Sequence, residues 1–277
     1  MPREARAATG GFVENFFVIR SLGFSSCEQR EQLLGASLKT SSSFELVGFD
    51  ADDTLWHSEI HFQQAHAEFE RIVGQYVDLA DAGLHQRMLD TERRNIKLFG
   101  YGAKGMCLSM IETAIALTHE RISAADIHRL LDLGKGILTH PVELLPDVRA
   151  AVEAAAGLAP LVLITKGDLF HQEAKIRQSG LADLFPRIEI VSEKDPQTYA
   201  RVLAECEVAP SRFAMVGNSL RSDIEPVLAL GGAGVHVPYA VTWALEAEHA
   251  VDPAHPRLRC VHSTAEVPAA LRDLAER

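Results

Sequence analysis

The sequence predicts an α/β fold in which a parallel sheet is covered by helices on both faces and a purely helical block is inserted after the first strand. Three observations carry this. Beyond Pro141, short apolar runs alternate with segments of helical periodicity, the pattern of a sheet with crossover helices. A similar apolar run, Leu46-Val47-Gly48-Phe49, stands alone well upstream. Between the two, residues 58–139 carry helical periodicity and no convincing strand.

Residues 1–43 differ from the rest, with Thr9-Gly10-Gly11, scattered charges and the polar run from Lys39 to Ser43. They are read as an N-terminal extension, a disordered tail or an over-long translation start, with at most a short helix near residues 27–38. The first strand follows at Leu46–Phe49. Helices are expected over residues 61–77, 84–99, 106–117 and 124–133, with Gly83, Gly100, Gly102 and Gly105 marking the breaks. After Pro141 a helix opens at Leu145-Pro146-Asp147 and runs to about residue 156, Pro and Asp suiting its first turn. Strands at 161–164, 188–191, 213–216 and 234–237 then alternate with helices at 169–179, 197–206, 223–230 and 265–275. The organisation is a core from residues 44–57 and 140–277 with a helical unit over residues 58–139.

At 277 residues the chain can hold one large domain or two modest ones, each with its own core. The net charge of −11 argues against a nucleic-acid partner, which needs a basic footprint, and against anionic membrane surfaces. No stretch has the apolar length of a membrane span. Cys27, Cys107, Cys206 and Cys260 lie far apart and form no CxxC pair, so a cytoplasmic protein without a disulfide framework or zinc site is expected.

In parallel α/β sheets, ligands bind beyond the carboxyl ends of the strands. The first strand ends in Asp50 and Asp52, whose alternation points them the same way. Carboxylates at the end of an apolar strand are costly unless they bind metal or do chemistry. The second strand ends in Thr165-Lys166-Gly167-Asp168, Lys194 follows the third, and Gly217-Asn218-Ser219 leads to Asp223 after the fourth. Phosphoryl transfer needs this inventory: a nucleophilic carboxylate, a second carboxyl for proton transfer, and a hydroxyl and an ammonium for the phosphoryl oxygens.

In these four segments, and in their order, the chain resembles the haloacid dehalogenase-like (HAD) hydrolase superfamily over about residues 44–277. Asp50-Ala51-Asp52-Asp53-Thr54 matches its first motif, Thr165 the second, Lys194 the third, and Gly217-Asn218-Ser219 with Ser222-Asp223 the fourth. The resemblance implies a Rossmann-like core with an inserted helical C1-type cap. It implies Asp50 as nucleophile and Mg²⁺ ligand, and Asp52 as general acid/base lending its backbone carbonyl to the metal. Thr165 and Lys194 would hold phosphate and Asp223 would complete the Mg²⁺ site, with Thr54, Lys166, Gly167, Asn218 and Ser219 supporting. Asn218 departs from the acidic residue usual there and brings no charge.

The implied activity is that of a Mg²⁺-dependent phosphatase of a small phosphorylated metabolite, acting through an aspartyl-phosphate as a monomer or homodimer. The resemblance implies phosphate-ester chemistry: the dehalogenase branch lacks the carboxyl at Asp52, because a halide needs no proton to leave, and the phosphonatase branch lacks it too. A phosphomutase, and a slow or non-catalytic phospho-ligand-binding protein, are the competing readings. Trp56 and His57 lie where the family has a mobile flap. Arg93, Arg94 and Lys97 on one helix, with Lys104 beyond it, are the cations of the helical block that could meet an anionic substrate, although a charged helix face is usually just solvated.

Overall fold

A computed structural model describes residues 44–276, so the expected N-terminal extension lies outside the described residues. The strands are β1 (Leu46–Phe49), β2 (Leu161–Lys166), β3 (Arg187–Val191), β4 (Phe213–Gly217), β5 (Ala233–His236) and β6 (Leu258–Cys260). They form one parallel sheet in the order β3-β2-β1-β4-β5-β6. The helices are α1 (Glu59–Val73), α2 (Leu79–Ala82), α3 (Leu84–Phe99), α4 (Ala103–Leu117), α5 (Ala124–Thr139), α6 (Val148–Ala156), α7 (Leu169–Ser179), α8 (Pro196–Glu205), α9 (Glu225–Ala229) and α10 (Val267–Ala275).

β1 is buried along its whole length and sits mid-sheet, with Val47 opposite Leu161 on one side and Ala214 on the other. Such burial on both faces explains why its sequence is a continuous apolar run and not an alternation. A Cβ at Gly48 would stand 2.7 Å from Phe213 Cζ and 2.8 Å from Met215 Sδ, so this strand needs glycine for the close approach of β4. One face packs Phe49, Leu161, Leu163, Val216 and Val235 against α6 and α10; the other packs Val162, Ile164, Phe213 and Met215 against Tyr199 and Val202 of α8.

Helices α1, α3, α4 and α5 share a separate core of Phe69, Ile72, Met88, Met110 and Leu130. Two connections join them to the sheet and run side by side. His57 N donates to Glu143 O at 3.0 Å and Leu145 N to Leu55 O at 3.0 Å. Beside them the rings of His61 and His140 lie 3.8 Å apart.

Several elements depart from expectation. Helix α5 continues past Leu133 to Thr139. Its Gly134 faces α4, where a Cβ would lie 2.9 Å from Cys107 Cβ, so this glycine permits close helix packing. Gly105, expected as a break, lies inside α4, seated close to the Gly100 carbonyl. The helix expected from residue 223 is preceded by a widened π turn, Leu220–Ile224, and α9 begins at Glu225. Two elements, α2 and β6, were not expected. β6 has three residues, too few for a periodic signal, and forms only because β5 offers it a parallel edge.

Candidate active site

The carboxyl end of β1 delivers Asp50, whose backbone N–H donates to Val216 O at 2.9 Å and so continues the β4 ladder. Its carboxylate is buried. The Lys194 ammonium donates to Asp50 Oδ1 and, at 2.7 Å, to Asp223 Oδ1, so one buried cation bridges two buried carboxylates. Asp223 reaches inward from the π turn, and its other oxygen accepts from Ser219 N at 2.9 Å. It can do so because residue 217 is glycine: a Cβ there would stand 2.2 Å from Asp223 Oδ2. Burial pushes the Asp50 carboxyl up to about 7, with Lys194 pulling against this and Asp223 adding to it. Burial also disfavours the Lys194 ammonium, but Asp223 and Asp50 outweigh it and hold the charge above the ordinary lysine range.

Thr54 lies behind Asp50, fully buried. Its hydroxyl is 3.0 Å from Asp50 Oδ2 and 3.3 Å from Asn218 Oδ1, and it accepts from Asn218 N at 3.0 Å. The hydroxyl thus ties the ends of β1 and β4 together. Asn218 and Ser219 follow β4, where Ser219 caps the π turn by accepting from Ser222 N at 3.0 Å. At the end of β2, Thr165 is buried and its Oγ1 accepts from Gln172 Nε2 at 3.2 Å. Gly167 follows at φ +141°, and a Cβ there would meet Gln172 Nε2 at 2.9 Å, so this turn requires glycine. Asp50, Asp52, Thr165, Lys166, Gly167, Lys194, Asn218, Ser219 and Asp223 all line one cavity of about 170 Å³ between the sheet and the helical unit.

Asp52 is the most heavily engaged of these groups. Lys175 Nζ lies 2.5 and 2.7 Å from its two oxygens, Gln172 Nε2 donates at 2.8 Å, and Trp56 Nε1 donates at 2.6 Å. Burial works to raise its pKa, but Lys175 and these donors outweigh it and hold the carboxyl below the usual carboxylate value. The buried Trp56 therefore packs in the core and orients Asp52, while His57 Nδ1 pairs with Tyr239 Oη at 2.7 Å. The neighbouring Asp53, at φ 61°, accepts from Ser58 N at 2.8 Å and Glu59 N at 3.0 Å, fixing the entry into α1.

These features point to one family, and a profile for haloacid dehalogenase-like hydrolases matches residues 44–231. The chain belongs to the haloacid dehalogenase-like hydrolases. The fold resembles the crystal structure of a haloacid dehalogenase-like family hydrolase from Xanthomonas campestris at 55% identity and TM-score 0.78, covering 87% of this chain and 95% of that one. A 2-haloacid dehalogenase from Pseudomonas syringae pv. tomato shares the fold at 20% identity and TM-score 0.54, over 84% of this chain and 100% of that one. A predicted phosphoglycolate phosphatase from Haemophilus somnus does so at 17% identity and TM-score 0.53, over 81% and 96% respectively. A comparison with curated proteins finds no match.

Sequence reasoning about this hydrolase missed the residues that arrive from outside the strand ends. Gln172 and Lys175 lie three apart on α7 and so share the face that meets Asp52, the only signal that could have marked them. Glu246 comes from the segment after β5; its carboxylate takes Lys166 Nζ at 2.5 Å and Ser222 Oγ at 2.6 Å. Tyr101 and Lys104 fasten the helical unit over the cavity, through Glu193 Oε2 at 2.6 Å and Asp168 at 2.9 Å. The other weighed cations, Arg93, Arg94 and Lys97, face solvent away from the cavity, and the same helix turns Glu92 toward it. Among the described residues no helix is long and apolar enough to cross a membrane.

Among the described residues no group of three or more His, Cys, Asp or Glu is arranged as a metal cage. Asp50 and Asp223 nevertheless fit a hard divalent cation, because two buried carboxylates share a single ammonium and the site keeps a net negative charge. A magnesium ion, which keeps several waters, needs no denser protein cage.

Proposed function

We infer that this hydrolase is a Mg²⁺-dependent phosphatase that cleaves a small phosphorylated metabolite through an aspartyl-phosphate. The observation that carries the reading is the second carboxylate, Asp52, fixed by Trp56, Gln172 and Lys175 in the cavity that holds Asp50. A halide leaves without a proton; an alkoxide needs one. The small cavity favours a metabolite over a protein chain.

Asp50 supplies the attacking oxygen, and Thr54 and Lys194 aim its carboxylate. Thr165 and Lys194 take the phosphoryl oxygens. Asp52 and Lys175 act as a pair: the pair gives a proton to the departing alcohol, and ionised Asp52 then takes one from the water that hydrolyses the aspartyl-phosphate. Asp50, the Asp52 backbone carbonyl and Asp223 would hold Mg²⁺, which neutralises charge between nucleophile and phosphate. Helices α1 to α5, with Tyr101 and Lys104 as fasteners, keep bulk water from the site during attack.

The test is phosphate release from p-nitrophenyl phosphate and a panel of phosphorylated metabolites, with Mg²⁺ and with EDTA, alongside halide release from 2-chloropropionate. Metal-dependent phosphate release that disappears in Asp50→Asn is the expected result. Halide release without phosphate release would overturn it. Transfer of the phosphoryl group to a second hydroxyl of a sugar phosphate would identify a mutase, and tight binding without turnover a ligand-binding protein.

A further inference from the structure

The cap side of the cavity presents two glutamate carboxyls and, among the described residues, no lysine or arginine. Glu92 on α3 is 6% exposed, lines the cavity and has no hydrogen-bond donor among the described residues. Its nearest cationic group is the His66 imidazole, 3.7 Å from Oε1, which is charged only when protonated. Glu59 on α1 lines the same space, also without a hydrogen-bonded or ion-paired partner for its carboxyl among the described residues. Every lysine on the cavity wall comes from the sheet side and is already paired: Lys194 with Asp50 and Asp223, Lys175 with Asp52, Lys166 with Glu246. The same cavity is also lined by the aromatic side chains of Phe62 and Trp243.

Two carboxyls in one cavity wall, one of them buried, with no cationic neighbour among the described residues but an imidazole, form an electrostatically unfavourable arrangement. Burial first, and then Asp53, Glu92 and Asp52, push the Glu59 carboxyl up to about 8. A second phosphate or a carboxylate on the substrate would meet repulsion here. A hydroxyl could accept or donate a hydrogen bond but would leave the charge uncompensated. A protonated amine would satisfy both carboxyls, and aromatic side chains in the same cavity wall are compatible with a cation.

We propose that the cap end of the cavity selects phosphomonoesters whose alcohol carries a protonated amine, with the ammonium between Glu59 and Glu92 and the phosphate at Asp50 and Lys194. The substrate class is that of aminoalkyl phosphates. This inference rests on the phosphatase reading for its catalytic readout, and it concerns only which ester is preferred.

The experiment compares kcat/KM for 2-aminoethyl phosphate, 2-hydroxyethyl phosphate and 2-phosphoglycolate with Mg²⁺ present. The amine ester should lead by about tenfold or more, the size of one charge-assisted contact, and the carboxylate ester should come last. In Glu92→Gln and in Glu59→Gln the lead should shrink toward unity, mainly through a rise in KM for the amine ester. Phosphate release with the hydroxyl or carboxylate ester equal or ahead would overturn the inference and leave the phosphatase reading standing. If no ester is hydrolysed, the phosphatase reading fails, and calorimetric titration of the Mg²⁺-loaded protein with 2-aminoethyl phosphate against ethyl phosphate decides. Tighter amine binding, weakened in Glu92→Gln, supports the inference; equal or weaker binding overturns it.

Discussion

Lys175 holds the Asp52 carboxylate from α7, a helix far from the first motif in sequence. Its ammonium lies on both carboxylate oxygens and lowers the pKa of Asp52. Lys175→Met should therefore raise that pKa and, on the proposed mechanism in which ionised Asp52 takes a proton from water, move the acid limb of the kcat profile to higher pH. Turnover should fall by about 10- to 100-fold. A pH–rate profile of the variant checks this, and an unmoved acid limb would separate Lys175 from the proton step. His171, one turn before Lys175, gives a prediction on stability. Burial first, and then Lys175, depress its pKa to about 4. Its folded-state pKa lies below the unfolded value near 6.5, so the contribution to stability is complete above 6.5 and is lost as pH falls toward 4. Urea midpoints measured down that range should decline, and decline less in His171→Gln. The strand-end rule made Asp50, Asp52, Thr165, Lys194 and Asp223 legible in the sequence, because a parallel sheet gathers its strand ends at one edge. Lys175, Gln172, Glu246 and Glu92 obey no such rule. They reach the cavity from helices and a loop at distances in sequence that only tertiary packing fixes.

The strands and helices of this hydrolase are held in register by side chains that are missing as much as by those present. Gly217 leaves the space that Asp223 occupies, and Gly48 leaves the space that Phe213 and Met215 occupy. Gly48→Ala should lower unfolding free energy by about 1 to 3 kcal/mol through overpacking, measured by urea denaturation, with the site's chemistry little altered. Gly217→Ala should do the reverse. Its methyl displaces the Asp223 carboxylate, so phosphate release and Mg²⁺ affinity should collapse well before stability does. Equal losses of stability in the two variants, with activity retained in Gly217→Ala, would refute the distinction. Periodicity revealed the long helices, since α3 and α7 match their expected bounds. It failed at Gly105, read as punctuation but seated inside a helix, and at the end of α5, which runs on through Gly134 packed close to Cys107. It also failed at β6 and at the segment carrying Trp243 and Glu246. These are too short and irregular for a repeat, and they take their shape from the edge of β5 and the cavity below.

At the scale of the whole molecule the sheet and the helical unit have separate cores, joined by two adjacent connections that pair through His57–Glu143 and Leu145–Leu55. Alternation of strand and helix, broken once by helices alone, was enough to read this plan from the sequence. The position of β1 was not legible, because a strand's neighbours in the sheet depend on topology and not on its own residues. That position has a consequence for how the chain comes into being. Among the described residues the first strand made is an inner strand of the finished sheet, and Val47 must wait for Leu161 and then Ala214 before both its edges are occupied. During synthesis β1 is an apolar ribbon with two open edges, trailing a helical unit that can close around its own core. Nascent chains stopped after Thr139 should therefore be poorly soluble, and the same chains lacking residues 44–50 should be soluble and helical by circular dichroism. The hazard of misassembly is concentrated at β1 and lasts until β4 emerges, so slow translation beyond the helical unit would lengthen the window in which a chaperone must shield four residues.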